Sequence, residues 1–202
     1  MVRVTLQKML LEDLLSQIGR VEPSVSGSSA SLIAARFGIA MVKMAFAVSS
    51  KHGANCDLAI EELDTISARL NNATEQDRAA ALALIETFRD SASDAVRRHA
   101  ITEATREPLS AAHLLVEFLE NAAKAEPDIR QSVASDFFGG IELISGAFGA
   151  VMMAIESNLR QEEAHDLNDQ THHDRSELRS RHDVAVAVLR SSLRSRVLVS
   201  AR

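Results

Sequence analysis

The sequence contains few of the residues that usually interrupt regular structure. Its 202 residues include three prolines, eight glycines and one cysteine, and neither tryptophan nor tyrosine. Because proline and glycine commonly end strands and helices, their scarcity favours a few long helices over many short strands. With 46% apolar residues, the chain can bury a full core. We therefore predict an all-α fold, a bundle of about six to seven long helices that forms one domain over residues 1–202.

Composition also excludes several classes of partner. The net charge is −6 and no basic block stands apart from acidic residues, so nucleic acid is not an expected partner. The single cysteine, Cys56, rules out an internal disulfide framework and fits a reducing cytosol, so a cytoplasmic location is expected. No metal is predicted, because no compact ligand spacing joins the histidines of the C-terminal part, which are His165, His172, His173 and His182.

Two apolar segments approach the length needed to cross a membrane. Residues 32–48 carry Arg36 and Lys43, and residues 137–155 carry Glu142. A charge near the middle of such a segment makes membrane insertion costly. We expect both segments to be helices in the core or at a subunit interface, and we expect no membrane partner.

Apolar residues at helical spacing divide the chain into seven predicted helices. Their approximate limits are 5–18, 29–50, 57–70, 75–99, 108–124, 132–159 and 177–198. The stretch NNATEQ, residues 71–76, is predicted to separate the third helix from the fourth, with Thr74 capping the fourth three residues before Asp77. Pro108 is predicted at the start of the fifth helix. Residues 160–176 are predicted to be a polar connection or a frayed helix, followed by a C-terminal helix within residues 177–202.

Small residues cluster in the second and sixth predicted helices. Gly139, Gly140, Gly146 and Gly149 in the sixth helix, and Gly38 in the second, each cost up to about 1 kcal/mol of helix propensity relative to alanine. Such faces let two helices approach closely, or let a ligand lie against the backbone. The small, apolar faces of these two helices are also larger than one thin layer of helices could cover, so we predict a homodimer.

A serine-rich turn, EPSVSGSSASL at residues 22–32, precedes the most hydrophobic helix. One interpretation is a plain N-terminal cap, for which a single serine suffices. The other is a ligand contact, because the hydroxyl and N–H groups of Ser26, Gly27, Ser28 and Ser29 lie at the positive end of the helix dipole. We predict that these four residues bind a carboxylate, a phosphate or a polar ring edge of the substrate.

Three motifs, in order, resemble those of the cyclodeaminase/cyclohydrolase family. PSVSGSSAS at 23–31 is similar to the family turn P-T-P-G-G-G-S-A-A, and ATREPLSAA at 104–112 is similar to A-T-x-V-P-L. The segment 132–159 is similar to V-I-S-D-A-G-V-A followed by a small-residue helix that ends near N-L. The resemblance covers roughly residues 4–160. It implies an all-α dimer that acts on a one-carbon, amidine-like centre, with a folate as substrate and no separate cofactor.

The resemblance also points to candidate site residues. Asp136, beside Ser135 in the S-D pair, is a candidate general acid and base, or it only caps its helix. Asp90 is the best match to an acidic family segment, D-D-x-E-A-F, and its alternative role is an ordinary solvated carboxylate. Lys51 alone stands where many relatives carry the lysine-rich stretch G-K-K-K-Y. We predict that Ser135 and Lys51 contact the substrate.

Two functional classes remain open. The first is an enzyme that adds water to a methenyl carbon, or closes a ring with loss of ammonia, on tetrahydrofolate or a related non-folate substrate. The loss of the lysine stretch weighs against a conventional polyglutamated folate. The second class is a catalytically degenerate homologue, a helical dimer that binds a ligand or a partner protein. The enzymatic interpretation requires Ser29 and Asp136 to share a cleft, within one chain or across a dimer.

Overall fold

Six helices account for most of the chain in a computed structural model that describes residues 5–21, 24–90 and 92–198. They are α1 (Leu11–Ile18), α2 (Gly27–Lys51), α3 (Asp57–Arg89), α4 (Asp94–Ala125), α5 (Ala134–Asn158) and α6 (His165–Leu193). Short 3-10 turns precede α1, α5 and α6, and a π-helical turn, Arg194–Leu198, follows α6. The described ranges contain no strand, which confirms the all-α prediction.

Helices α2 and α5 form the central pair and run antiparallel. Gly38 lies against Gly140 near the middle of the pair. At one end, the N–H of Arg130, just before α5, donates to the Ser49 hydroxyl near the end of α2 at 3.0 Å. The beginning of α2 therefore lies beside the C-terminal end of α5.

The two glycines are what allow this close approach. A Cβ added to Gly38 would lie 2.5 Å from the carbonyl oxygen of Gly140, and a Cβ on Gly140 would lie 2.5 Å from that of Gly38. No side chain fits at such a distance, because both neighbours are backbone atoms. The close packing predicted from small residues is confirmed at this crossing, whereas a Cβ added to Gly146 or Gly149 would meet no atom within 4 Å.

Helix α3 is continuous across the stretch NNATEQ, so the predicted break at residues 71–76 is wrong. Ala73 and Thr74 are buried, and the Thr74 hydroxyl donates to the Leu70 carbonyl at 2.7 Å within the helix. Thr74 is therefore not a cap for a helix containing Asp77. Helix α3 instead ends at Arg89, and α4 begins at Asp94.

Pro108 lies inside α4 and is buried, so its predicted position at a helix start is also wrong. The predicted helix limits of 75–99 and 108–124 divided the chain at the proline, whereas α4 runs without interruption from Asp94 to Ala125. An interior proline lacks the N–H that the carbonyl four residues earlier normally receives. The partner that replaces this N–H is part of the candidate site.

Helix α6 begins at His165, so residues 165–176 are helical, and of the two predicted alternatives the polar connection is wrong there. Its polar side chains pair with neighbouring helices. Arg175 is only 4% exposed and donates to Glu156 of α5 at 2.5 Å. Arg181 pairs with Glu120 of α4 at 2.8 Å, and Arg190 pairs with Glu142 of α5 at 2.9 Å. Although α6 has few apolar residues, charge-assisted hydrogen bonds therefore hold it against α4 and α5.

Two segments, Gly27–Lys51 and Gln131–Asn158, are long and apolar enough to cross a membrane. The share of their most apolar window that is buried inside the protein is 44% and 50% respectively. Part of the remaining surface is an apolar stripe, which we define as Phe37, Ala40 and Met44 of α2 with Leu143 and Gly146 of α5.

The glycine crossing gives the first prediction. Gly38→Ala should lower the free energy of unfolding by about 1–3 kcal/mol, as over-packed core positions do, because the new methyl group meets the Gly140 carbonyl. Gly149→Ala is the matched control on α5 and should leave stability unchanged or raise it by up to about 1 kcal/mol, because its added Cβ meets no atom within 4 Å and it gains helix propensity. Chemical denaturation followed by circular dichroism measures both. Equal effects of the two substitutions would contradict the proposed crossing.

Candidate active site

The serine-rich turn forms the N-terminal cap of α2. The Ser26 hydroxyl accepts the N–H of Ser29 at 3.1 Å, which confirms the capping interpretation. Ser28 and Ser29 are not needed for this cap, and both are buried. Their hydroxyl groups point to another element, the middle of α3.

The hydroxyl groups of the turn converge on Asp77, which is 2% exposed. Ser29 donates to Oδ2 of Asp77 at 2.5 Å, and Ser28 lies 2.9 Å from both carboxylate oxygens. Ser26 is farther away, 3.3 Å from Oδ2. Among the described residues no lysine or arginine forms an ion pair with Asp77, although Arg78 follows it and binds the Ser24 carbonyl at 3.0 Å.

Burial raises the pKa of Asp77 above the ordinary value of an aspartate, and the hydrogen bonds from Ser29, Ser28 and Ser26 oppose that rise. Glu107 of α4 is half-buried nearby, and its pKa is also raised, first by burial and then by the charges of Glu103 and Asp77. This corner of the molecule therefore holds protonated carboxyl groups more readily than solvent-exposed positions do.

Asp77 and the serines form the polar end of a cleft of about 450 Å³. The serine turn at the start of α2 contributes Ser26 and Ser28, and α3 contributes Asp77 and the apolar Leu84 and Ile85. The opposite wall belongs to α4 and α5 and includes Ala104, Ala150, Met153 and Asn158. The cleft thus combines a buried acid with an apolar wall, which is the usual composition of a small-molecule site.

Asn158 lines the cleft and also supplies the hydrogen bond that Pro108 cannot make. Because Pro108 has no N–H, the Ala104 carbonyl loses its helical partner. The side-chain amide of Asn158 donates to that carbonyl at 2.7 Å from the end of α5. Two motifs that resemble the family, ATREPLSAA and the terminal N-L, therefore complete one hydrogen bond at the site.

Asp136, Ser135 and Lys51 lie at the other end of the α2–α5 pair. Asp136 is the third residue of α5, and 22 further residues of helix, about 33 Å at 1.5 Å per residue, separate it from Asn158. Lys51 is the last residue of α2. Within one chain, Asp136 therefore does not share a cleft with Ser29. Its alternative role as the cap of α5 is wrong, because the cap position is Val133 and no side chain caps α5.

Asp90 does not reach the serine turn either. It is exposed at the C-terminal end of α3 and lines a separate depression with His99 and Glu103 of α4. Of the predicted substrate contacts, Ser26, Gly27 and Ser28 line the Asp77 cleft, and Ser29 lies behind them on the carboxylate.

Asp77 is absent from the predicted site because its spacing from Thr74 resembles a capping arrangement. One signal could have identified it. Placed on residues 76–81, QDRAAA, the acidic family segment D-D-x-E-A-F puts its second aspartate on Asp77 and its alanine on Ala80. This placement falls inside a continuous helix that faces the serine turn, whereas the match at Asp90 falls on a helix end.

Comparison with known proteins decides the family. A sequence model of the formiminotransferase-cyclodeaminase family matches residues 10–177. The chain belongs to this family. The family match includes the serine turn, Asp77 and Asn158, and it ends within α6.

A crystal structure of formiminotetrahydrofolate cyclodeaminase from Thermotoga maritima is similar to the chain, with a TM-score of 0.85 and 13% sequence identity. The similarity covers 94% of this chain and 98% of that one, so the family fold is retained over nearly the whole length. No curated protein sequence matches the chain.

The hydrogen bond between Asn158 and the Ala104 carbonyl gives the second prediction. Asn158→Ala should lower the free energy of unfolding by about 1–3 kcal/mol, because it leaves a buried carbonyl without a partner. In a Pro108→Ala background the new N–H supplies that partner, so the same Asn158→Ala substitution should cost much less. Denaturant unfolding of the two single variants and the double variant measures this coupling. Additive effects would contradict the pairing.

Proposed function

We propose that the chain is a cyclodeaminase-type enzyme and that Asp77 moves the proton in its reaction. The observation that carries the proposal is a buried carboxyl group, free of any cationic partner among the described residues, at the polar end of a substrate-sized cleft. A structural carboxylate at this depth is normally neutralised by a lysine or arginine. Leaving it unpaired is costly, and a substrate that supplies the positive charge offsets that cost.

The charge of the site selects the kind of substrate. The hydroxyl groups of Ser26, Ser28 and Ser29 already bind an anion, the side chain of Asp77, so the turn is poorly suited to the carboxylate or phosphate that its sequence suggests. A protonated amidine carries positive charge and N–H donors, and therefore complements Asp77. The formimino group of a tetrahydrofolate is such an amidine.

Ring closure requires a proton to move between two nitrogens of the substrate. The N10 nitrogen of tetrahydrofolate attacks the formimino carbon and forms a C–N bond, and N10 gives up its proton. The former formimino nitrogen takes a proton, its bond to carbon breaks, and ammonia leaves. Asp77 accepts the first proton as a carboxylate and donates it as a carboxylic acid, a double role that suits a raised pKa.

The serines position the carboxyl group rather than react themselves. Their hydroxyl groups fix the side chain of Asp77 from the α2 side, and Asp77 itself lines the cleft. Ser26, as both the cap of α2 and a neighbour of Asp77, joins the geometry of the helix end to that of the acid. This arrangement holds the acid in place without adding positive charge.

We further propose that two copies of the chain associate through the apolar stripe. Phe37 is 55% exposed, and Met44 and Leu143 are each 41% exposed, on faces that also carry Ala40 and Gly146. Small residues between larger apolar ones allow two such faces to interdigitate about a two-fold axis. The predicted role of Asp136 depends on this dimer, since only a second copy could bring that residue toward a serine turn.

The third prediction tests Asp77 directly. Asp77→Asn should lower the turnover of 5-formiminotetrahydrofolate by about 10²–10⁴-fold, the usual contribution of a general acid–base group. Ammonia release and folate absorbance both follow the reaction, and the absence of tryptophan and tyrosine keeps the protein background low. Asp90→Asn is the matched control, because Asp90 is exposed and lines a separate depression, and it is expected to retain more activity than Asp77→Asn.

Measuring the free energy of unfolding of Asp77→Asn as a function of pH serves as the folding control for the third prediction. A raised native pKa means that the native state binds the proton more tightly than the unfolded chain. The contribution of Asp77 to stability is therefore lost as pH rises from the ordinary aspartate pKa of about 3.9 through the raised value. Asp77→Asn should lack this loss and should be at least as stable as the native protein at neutral pH.

An active Asp77→Asn variant would contradict the proposal, and folate binding without turnover by the unmodified chain would favour the non-catalytic alternative.

The fourth prediction concerns the dimer. Light scattering at micromolar concentration should give twice the chain mass for the unmodified protein and a single chain mass for Ala40→Arg, because the new charge falls in the apolar stripe. Val96→Arg is the control, since Val96 is 52% exposed on α4, away from the stripe. A monomeric unmodified protein, or a dimeric Ala40→Arg variant, would exclude this interface.

A further inference from the structure

Asn158 is the last residue of α5 and lines the wall of the cleft opposite the serine turn. Its side-chain nitrogen donates to the Ala104 carbonyl at 2.7 Å. The nitrogen and oxygen of an asparagine amide are alike in size, so their hydrogen-bond partners decide which atom is which. A carbonyl can only accept a hydrogen bond. The atom of Asn158 that faces Ala104 is therefore the nitrogen, and the orientation of the amide is determined.

The anchored nitrogen leaves the amide oxygen of Asn158 as a fixed acceptor. Among the described residues Oδ1 has no hydrogen-bond partner, yet it is not one of their buried unpaired atoms, so it remains open to solvent. Because Pro108 has no N–H, nothing within α4 competes with Asn158 for the Ala104 carbonyl. The oxygen is thus held at the cleft by a hydrogen bond that the fold itself requires.

Other polar groups of the cleft are also limited to accepting hydrogen bonds. The Ser28 hydroxyl donates to Asp77 at 2.9 Å, and the Ser31 hydroxyl donates to the Gly27 carbonyl at 2.8 Å. A hydroxyl group whose single proton is used in this way has only lone pairs left for a ligand. Asp77 as a carboxylate has no proton to donate. The polar atoms on both walls of the cleft therefore favour a ligand that carries N–H donors.

We propose that Oδ1 of Asn158 accepts an N–H of the reacting amidine and so makes the site select a formimino group over a formyl group. The inference rests on the proposed function, in which Asp77 binds the same amidine from the opposite wall. A formyl group has an oxygen where the formimino group has a protonated nitrogen, and that oxygen would face the acceptor Oδ1. A site that binds an N–H discriminates against the analogue without it, because the polar atom of the site is then left unpaired.

The contact with Asn158 should become stronger along the reaction. The leaving nitrogen takes up a proton before its bond to carbon breaks, and it then has more donors and more positive charge than in the bound substrate. An acceptor fixed beside this nitrogen therefore stabilises the transition state more than the ground state. Loss of Oδ1 should accordingly lower kcat more than it raises KM.

Kinetics in a Pro108→Ala background separate this role of Asn158 from its structural one. In that background the new backbone N–H satisfies the Ala104 carbonyl, so Asn158→Ala should cost little stability. The double variant should nevertheless fall about 10–100-fold below Pro108→Ala in kcat/KM for 5-formiminotetrahydrofolate, the effect of losing a hydrogen bond to a charged donor. The inhibition constant of 5-formyltetrahydrofolate should change little. Asn158→Asp in the same background keeps an acceptor oxygen and should retain most of the activity.

Asn121→Ala is the matched control for the loss of an asparagine. Asn121 of α4 is half-buried, accepts a hydrogen bond from Lys124 at 3.2 Å and lies outside the cleft, so kcat/KM should not change. Equal kcat/KM in Pro108→Ala and the double variant would overturn the inference, as would an equal weakening of 5-formyltetrahydrofolate inhibition. The proposed function would still stand in either case if Asp77→Asn is inactive.

A different result would count against the proposed function itself. If the unmodified protein binds 5-formiminotetrahydrofolate without turnover, the catalytic proposal fails. The inference is then decided by calorimetry, as the ratio of the dissociation constants for the formimino and formyl folates in Pro108→Ala and in the double variant. A ratio that Asn158→Ala leaves unchanged would overturn it. Absence of binding of both folates to the unmodified protein would overturn both proposals.

Discussion

The backbone contact between Gly38 and Gly140 determines where the functional groups of the molecule lie. It brings α2 and α5 together along an antiparallel axis with no side chain between them at the crossing. The serine turn at the start of α2 is consequently placed beside the end of α5, where Asn158 and Met153 complete a cleft. The same contact keeps Lys51 and Asp136 at the opposite end.

The cleft depends on a carboxyl group that the protein leaves without a counter-ion among its described residues. Three hydroxyl groups stabilise Asp77 by hydrogen bonding, which is weaker compensation for a buried charge than an arginine would give. The remaining imbalance favours a ligand that is cationic or rich in donors.

Local pattern was sufficient to predict the all-α class and the approximate limits of α2 and α5, because both helices are apolar and end at clear turns. It failed where a residue depends on a partner far along the chain. In the sequence NNATEQ resembles a turn, but in the structure Ala73 and Thr74 are buried and α3 continues through them. In the sequence residues 160–176 resemble a linker, because the pairing of Arg175 with Glu156 of α5 is not visible in the local pattern. Asp77 was overlooked for the same reason, since its serine partners lie 48–51 residues earlier in the sequence.

Pro108 and Asn158 also bear on how the bundle assembles. A peptide containing only α4 would have a gap in its ladder of backbone bonds at the proline, and would fray or kink there in water. The missing bond is supplied only when the end of α5 arrives. The hydrogen bonding of α4 at Ala104 therefore depends on α5, and the cleft wall around Ala104 is completed by the contact between the two helices.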